Sequence, residues 1–349
     1  PDRLTYPVKR IGHKGSGKWE RISWDEAIDA IAERILDYKD KYGAESIVFG
    51  YGTGRENEAV IYRIANLLGS PNVLTAGHFC YGPRISSSII TMGTNPIIEY
   101  EGFPKCIMMW GNNVTISNPD CYKGEPFSVA LDAGAKLIVV DPRFTKPASR
   151  ANIWLQLRPG TDPALAYGIL NVIVNEGLYD KDFVENHVYG WEPFVKRVNE
   201  YTLERVEEIT WVPKEKIREA ARLFATSKPA VIQWGVAIEQ QINCVDNDRL
   251  LMFIMGLTGN IDAEGGQVLY RTPPIVNVGQ FGAHAMLPRE QAQKRLGGDR
   301  FRLASRFAII TPKVVWDAIL DEKPSPVKML FSIRSNPLMT RADAKEVCR

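Results

Sequence analysis

Leu137-Ile138-Val139-Val140 runs without a break into Asp141-Pro142-Arg143, and this pattern, an apolar run stopped by a small or polar turn, decides the fold. It recurs along the chain. Ser46-Ile47-Val48-Phe49 meets Gly50-Tyr51-Gly52-Thr53-Gly54-Arg55, and Cys106-Ile107-Met108-Met109-Trp110 meets Gly111-Asn112-Asn113. Ala230-Val231-Ile232-Gln233-Trp234 meets Gly235, and Met329-Leu330-Phe331-Ser332-Ile333 meets Arg334-Ser335-Asn336-Pro337. Continuous apolar runs, unlike alternating ones, mark strands covered on both faces. Segments of helical period lie between them. Trp24–Tyr38 carries Ala27, Ile28, Ile31, Ala32 and Ile35 at the spacing of one buried stripe, and Ser23 followed by Glu26 predicts a capping box. Gly160-Thr161-Asp162-Pro163 opens a helix over Ala164–Asn175, with Asp162 as N-cap, Pro163 as first helical residue and Gly177 as stop. The dense stretches around Leu165–Val174 and Leu250–Leu257 predict buried helices. Strands alternating with helices predict a parallel α/β sheet, or two of them. Ligands of such sheets bind outside the carboxyl ends of the strands, which is where all these turns lie.

Composition narrows the function classes. The 349 residues correspond to about two domains at roughly 150 residues each. With 45% hydrophobic and 24% charged residues the chain is globular, which excludes disorder, collagen and coiled coil. Lys+Arg 43 against Asp+Glu 41 leaves a net charge of +2, without the basic excess of a nucleic-acid binder. No apolar run approaches the roughly 18 residues of a membrane-spanning helix, so the expectation is a soluble chain with no direct membrane insertion. The five cysteines, Cys80, Cys106, Cys121, Cys244 and Cys348, form no CxxC pair and indicate neither a disulfide framework nor a structural zinc site. The chain runs from Pro1, with no initiator Met, to Arg349, and reads as a piece of a longer protein. The compartment is not legible, because an export signal would lie upstream of Pro1.

Several residues are candidates for chemistry, each beside a plainer reading. Gly50–Gly54 is a phosphate-cradling loop or a tight turn, and it is not GxGxxG. Asp141 accepts from a ribose or guanine edge, or makes an Asx turn before Pro142. Gly160-Thr161-Asp162 caps a helix, and its free amides also suit a pyrophosphate. His13, His78, His187 and His284 show no metal spacing, and His187 reads as lying on a helix surface. Cys106 and Cys244 read as inert small hydrophobes. Cys80 differs: in Gly77-His78-Phe79-Cys80-Tyr81-Gly82-Pro83-Arg84 it has His78 and Arg84 as potential cationic neighbours that favour a thiolate, against the alternative of a buried loop cysteine. Glu99/Glu101 and Glu207/Glu208 read as solvated surface. The residues alone thus give an α/β protein that binds something nucleotide-like at strand ends, with Cys80 as a candidate reactive thiol.

Val139-Val140-Asp141-Pro142-Arg143-Phe144-Thr145, followed by Arg158-Pro159-Gly160-Thr161-Asp162-Pro163-Ala164-Leu165, resembles the DPR-x-T and RPGTDxAL elements of the molybdopterin oxidoreductases of the dimethyl sulfoxide reductase family. Other pieces follow in the family's order. Pro1–Ala27 is similar to the stretch after the family's iron–sulfur segment, and Asn171–Phe183 to the helix and turn after RPGTD. Leu257-Thr258-Gly259-Asn260-Ile261 is similar to LTGNIG, with Asp262 where Gly is usual, and Ser335-Asn336-Pro337-Leu338 to the later NPL loop.

The resemblance implies two Rossmann-like parallel-sheet domains, the second inserted into the first, of the formate dehydrogenase and DMSO reductase type. Residues 1–76 with 276–349 would form the first and 77–275 the inserted dinucleotide-binding domain. It also implies a molybdenum or tungsten ion held by two molybdopterin guanine dinucleotides, with Cys80 as the metal ligand, a soft donor for a sulfur-rich centre. Trp110, Gly111, Asn112, Asn113, Asp141, Pro142, Arg143, Thr145, Gly160, Thr161 and Asp162 would line one dinucleotide. Trp234, Gly235, Ser335 and Asn336 would approach the metal or the other one. His78, Tyr81 and Arg84 flank the ligand as substrate-side candidates, with Arg271 a weaker one. The implied activity is two-electron redox chemistry or oxygen- or sulfur-atom transfer on a small-molecule substrate, as in anaerobic respiration, with an iron–sulfur electron-transfer subunit as partner. The alternatives are a non-redox tungsten hydratase on the same scaffold and a cofactor-free structural subunit of a respiratory complex. The CxxCxxxC run for a 4Fe–4S cluster and the C-terminal cofactor-binding domain are absent from this chain, so the isolated piece is expected to carry neither metal nor activity. Tyr81 stands where formate dehydrogenases place His, which counts against formate.

Overall fold

In the computed structural model of the chain, which describes residues 3–119, 123–269, 274–276, 281–282, 285–301, 310–341 and 343–348, each of the five apolar runs is a strand paired in parallel. The strands among the described residues are β1 (Val8–Arg10), β2 (Trp19–Arg21), β3 (Ile47–Tyr51), β4 (Val73–Thr75), β5 (Ile97–Ile98), β6 (Cys106–Trp110), β7 (Lys136–Val140), β8 (Ile153–Leu155), β9 (Ala230–Trp234), β10 (Gln267–Val268) and β11 (Met329–Ile333). The fold is α/β, and the chain forms two compact units: Pro1–His78 with Pro274–Arg349, and Phe79–Pro273 inserted between those two segments.

The inserted unit is built on a parallel sheet of order β8-β7-β6-β9. Its unbroken apolar runs have a direct cause: both faces are covered. Met108, Trp110, Ile138, Val140, Ile232 and Trp234 face the helices Asp162–Asn175, Lys214–Thr226 and Cys244–Leu257. The alternate residues Ile107, Met109, Leu137, Val139 and Val231 pack with Val114, Phe127, Ala130 and Ala148 on the other face. Both predicted apolar helices are buried here. The first begins one residue earlier than a capping Asp162 requires. Thr161 is the flanking residue and Asp162 the first helical one, because its carboxylate turns away from its own helix toward Trp110 and Gln241.

The discontinuous unit has a parallel sheet of order β11-β3-β4, with Leu74 bridged further to Ile310. Gly50 and Tyr51 continue β3, so the glycine turn starts only at Gly52, where a side chain would meet the Arg334 carbonyl at 2.2 Å. The helix Glu58–Leu68 does follow this turn, but Asn57 ahead of it makes no side-chain cap, so the sequence carries no start signal there. The antiparallel hairpin β1–β2 precedes the helix Trp24–Tyr42. Ser23 Oγ accepts from the Glu26 amide at 3.0 Å, while the Glu26 carboxylate pairs with Lys9. The predicted buried stripe of this helix is not buried: no residue of it is, Ile28 is 59% and Ile31 43% exposed, and Ile35 alone of the stripe packs against the β3 cluster. Helical periodicity reports a face, not what covers it. No helix among the described residues is long and apolar enough to cross a membrane.

Candidate functional site

The four-stranded sheet gathers most of the candidate residues on its carboxyl edge. Trp110 is in register with Val140 on one side and Trp234 on the other. The ladder continues past the strand ends: the Gly111 amide donates to the Val140 carbonyl at 2.9 Å and the Gly235 amide to the Trp110 carbonyl at 3.0 Å. Gly235 is required by this approach, since a Cβ there would lie 2.3 Å from the Gly111 carbonyl oxygen. Trp110 Nε1 donates to Asp162 Oδ1 at 2.8 Å, which ties the Gly160–Asp162 turn to the same edge. Asp162 Oδ2 accepts from Gln241 Nε2 at 2.9 Å, so both of its oxygens are engaged by protein.

At the end of β7 the Asx turn is made: Asp141 Oδ1 accepts from the Arg143 amide at 2.8 Å, and Trp154 Nε1 donates to the Asp141 carbonyl at 2.9 Å. Pro142 and Arg143 are exposed, and Thr145 caps the short helix Lys146–Arg150 by accepting from the Ala148 amide. Asn113 precedes the turn Val114–Ser117 and accepts from Thr115 Oγ1 at 3.2 Å.

Three features of this edge test whether a phosphate-bearing dinucleotide fits it. Thr161 donates its hydroxyl to the Arg158 carbonyl at 2.6 Å and so leaves the first-turn amides of Asp162–Asn175 without a side-chain cap. Gly160, at φ +84°, has open space where a side chain would stand. Asn112 Oδ1 is buried with no hydrogen-bond partner. Amides at a helix start, an unobstructed glycine and an orphan polar atom suit a bound anion with a polar base, so the residues fit.

Cys80 is half-buried and immediately precedes Tyr81 and the helix Gly82–Met92. A lone accessible thiol in a turn is a chemically apt soft donor. Its expected cationic neighbours are not free cations. Arg84 is buried, donates from Nε to Glu239 Oε1 at 2.5 Å and to the Trp234 carbonyl at 3.1 Å, and lies 4.4 Å from the Trp234 ring centroid and 4.9 Å from that of Tyr81. His78, in the other unit, donates to the Thr75 carbonyl at 2.7 Å, and burial brings its pKa down to about 4, leaving it neutral. Ser335 and Asn336 follow β11 in that same unit: the Ser335 carbonyl accepts from Ser332 Oγ at 2.9 Å, and Asn336 starts the turn Pro337–Thr340.

Within the inserted unit, Tyr81, Arg84, Tyr100, Lys123, Gln233 and Trp234 line a cavity of about 60 Å³. Tyr100 and Gln233 were not legible as site residues; they are joined by a 3.2 Å hydrogen bond across 133 residues of chain. Also missed were Glu239 and Asp248, although Asp248 shares a helical stripe with the buried Leu251 and Met255 and was visible as a charge on an apolar face. Glu99 is not solvated surface: it accepts from the Gly102 and Gly265 amides at 2.9 and 2.7 Å and anchors that turn. Glu207 is likewise half-buried and accepts from the Lys214 amide, whereas Glu101 and Glu208 are exposed. Burial pushes the Cys106 thiol up to about 12 and raises that of Cys244, in keeping with inert cysteines. His187 is exposed at the end of the helix Lys181–His187. Arg271, Cys121 and His284 lie outside the described residues. Among the described residues no three His, Cys, Asp or Glu side chains are grouped to hold a metal ion.

Comparison with known proteins matches residues 3–349 to the family model of molybdopterin oxidoreductases. Acetylene hydratase of Syntrophotalea acetylenica is 35% identical over 377 aligned residues, covering 100% of this chain and 51% of that protein. The molybdopterin-containing subunit PhsA of the Salmonella typhimurium thiosulfate reductase is 28% identical, covering 97% and 46%. Formate dehydrogenase H of Escherichia coli is 35% identical over 267 residues, covering 74% and 37%. The solved structure of acetylene hydratase from Pelobacter acetylenicus superposes with a TM-score of 0.88 at 35% identity, over 99% of this chain and 51% of that one. The chain therefore spans about half the length, or less, of these relatives.

Proposed function

This chain belongs to the molybdopterin oxidoreductase family, and on that premise we propose that it is the central part of a molybdenum or tungsten enzyme that carries out two-electron redox chemistry or oxygen- or sulfur-atom transfer on a small molecule. When bound, the cofactor supplies a metal that changes oxidation state by two electrons or acts as a Lewis acid. The protein's part is to bind and orient. The first-turn amides at Asp162, the open Gly160 and the orphaned Asn112 Oδ1 would hold a pterin guanine dinucleotide. Asp141, Pro142, Arg143 and Thr145 would line it, with Trp110, Gly111 and Asn113. Trp234, Gly235, Ser335 and Asn336 would serve the metal side or the second dinucleotide. Cys80 would give the metal its protein sulfur, with His78, Tyr81 and Arg84 in reach of substrate. The intact enzyme would also carry a 4Fe–4S cluster and pass electrons to an iron–sulfur partner subunit.

The observation that carries this reading is the convergence of strand-end turns on one sheet edge that leaves a helix start without a side-chain cap and a buried amide oxygen without a partner. The test is elemental and pterin analysis of the full-length protein together with turnover of a Cys80→Ala variant. Stoichiometric molybdenum or tungsten with abolished turnover supports the assignment; undiminished activity overturns Cys80 as ligand. A second reading, hydration without redox change, is favoured by the likeness to acetylene hydratase along the entire chain. Product formed with neither electron donor nor acceptor present would select it.

A further inference from the structure

Beneath the Trp234–Gly235 edge lie two buried acids and one buried cation, with the half-buried Lys123 facing one of the acids. Asp248 is 0% exposed on the helix Cys244–Leu257; its Oδ1 accepts from Trp234 Nε1 at 3.0 Å and its Oδ2 has no hydrogen-bond partner. Glu239, 2% exposed, binds Arg84 through Oε1, and its Oε2 also has no partner. Arg84 donates onward to the Trp234 carbonyl. Both acids are thus tied to one tryptophan, Asp248 through the ring nitrogen and Glu239, by way of Arg84, through the backbone. Arg84 binds Glu239 and Lys123 faces it too, whereas no cation is hydrogen-bonded to Asp248, and a buried charge without a partner is expelled from a protein interior unless it is protonated.

We propose that the pair Asp248 and Glu239 carries a single proton up to neutral pH, and that this proton, by removing an uncompensated buried charge, makes them positioning residues for the Trp234–Gly235 edge. Two orphan carboxyl oxygens in one dry cluster agree with this, since a buried carboxyl that lacks a donor for one of its oxygens costs less to hold as the neutral acid. Burial and the neighbouring Glu239 charge push Asp248 up to about 7, with Arg84 acting against them. Burial raises Glu239 as well, again against Arg84. Ser87, on the helix Gly82–Met92, faces Asp248; Lys123 faces Glu239; and Cys244 starts Asp248's own helix. The helices Asp162–Asn175 and Lys181–His187 meet that helix through apolar residues such as Leu165, Ile169 and Val184. The sign of the pH dependence follows. A folded chain that keeps a proton the unfolded chain gives up above the ordinary value of 3.8 is most stable, as far as this group goes, below that value. It loses that stability as pH climbs toward 7.

The proton assignment stands on the fold; its link to turnover rests on the cofactor reading above. The test is infrared difference spectroscopy of the full-length protein between about pH 5 and 9, the span around an acid of raised pKa. A protonated-carboxyl C=O band should disappear with a midpoint near 7 and be missing from Asp248→Asn. Glu239→Gln, which removes the neighbouring negative charge, should move the midpoint to lower pH and decides the matter if Asp248→Asn does not fold. In the holoenzyme, Asp248→Asn should flatten the alkaline limb of the pH–rate profile while keeping the hydrogen bond to Trp234. Absence of a titrating carboxyl band, or a band that neither variant alters, overturns the proposal. A protein devoid of metal that still shows the titrating band supports the shared proton and overturns the cofactor reading alone.

Discussion

Asp162 shows what one side chain does for the edge. Its two oxygens accept from Trp110 Nε1 and Gln241 Nε2, and its position at the start of a 14-residue helix adds the favourable field of the helix amino end. Asp162→Ala would leave the buried indole N–H without an acceptor, which costs about 1–3 kcal/mol, with less than about 1 kcal/mol more from the lost charge. Asp162→Asn keeps an acceptor and should cost about 1 kcal/mol. Urea unfolding of the three forms checks this order, and equal midpoints would refute the role. The sequence motif located Asp162 at a turn with chemistry in it, but not the inward aim of its carboxylate. Gln241 lies 79 residues away, and no local pattern encodes that meeting. The same holds for Arg84: its charge and its nearness to Cys80 were legible, whereas its burial against Glu239, 155 residues on, was not.

Among the elements, the strands were legible and the helix surfaces less so, for one physical reason. A strand covered on both faces is apolar at every position, so β6, β7 and β9 announce themselves and end where polarity returns. A helix shows an apolar stripe whether or not this chain covers it, which is how Trp24–Tyr42 came to look buried. The glycine turns were legible as turns, but which glycine is indispensable depends on the partner strand. Gly52 and Gly235 are each held against a backbone carbonyl, at 2.2 and 2.3 Å from an added Cβ. Gly235→Ala therefore has no flexible side chain to push aside and must separate the ends of β6 and β9. The expected loss is about 1–3 kcal/mol, the usual cost of overpacking. Gly160→Ala meets no neighbour, so its cost should come only from the left-handed backbone, about 1 kcal/mol. Thermal melts of both variants test the contrast. Gly235→Ala should also weaken dinucleotide binding more than Gly160→Ala in the full-length protein, because it moves Gly111 and Trp234 together.

At the scale of the whole chain, the two units differ in how their sheets are closed, and folding should follow that difference. Residues 79–273 contain all four strands of β8-β7-β6-β9 and the helices that cover both faces, so every neighbour of the central strand β6 comes from one uninterrupted stretch. Residues 1–78 carry β3 and β4 but not β11, which pairs with β3 over its full length from Met329↔Ile47 to Ile333↔Tyr51. Nor do they carry the helix Pro312–Asp321, whose Val314, Val315 and Ala318 cover Val48 and Leu74. Two strands of three, with one face uncovered, cannot offset the entropy of ordering their chain. Expressed separately, 79–273 should show a single cooperative thermal transition with structured near-ultraviolet dichroism, and 1–78 should show none. Adding 274–349 in trans to 1–78 should restore dichroism to the mixture, because β11 and its helix complete the sheet whether or not the chain is continuous. A cooperative transition in 1–78 alone, or none in 79–273, would mean that the boundaries at His78 and Pro274 do not divide the folding units.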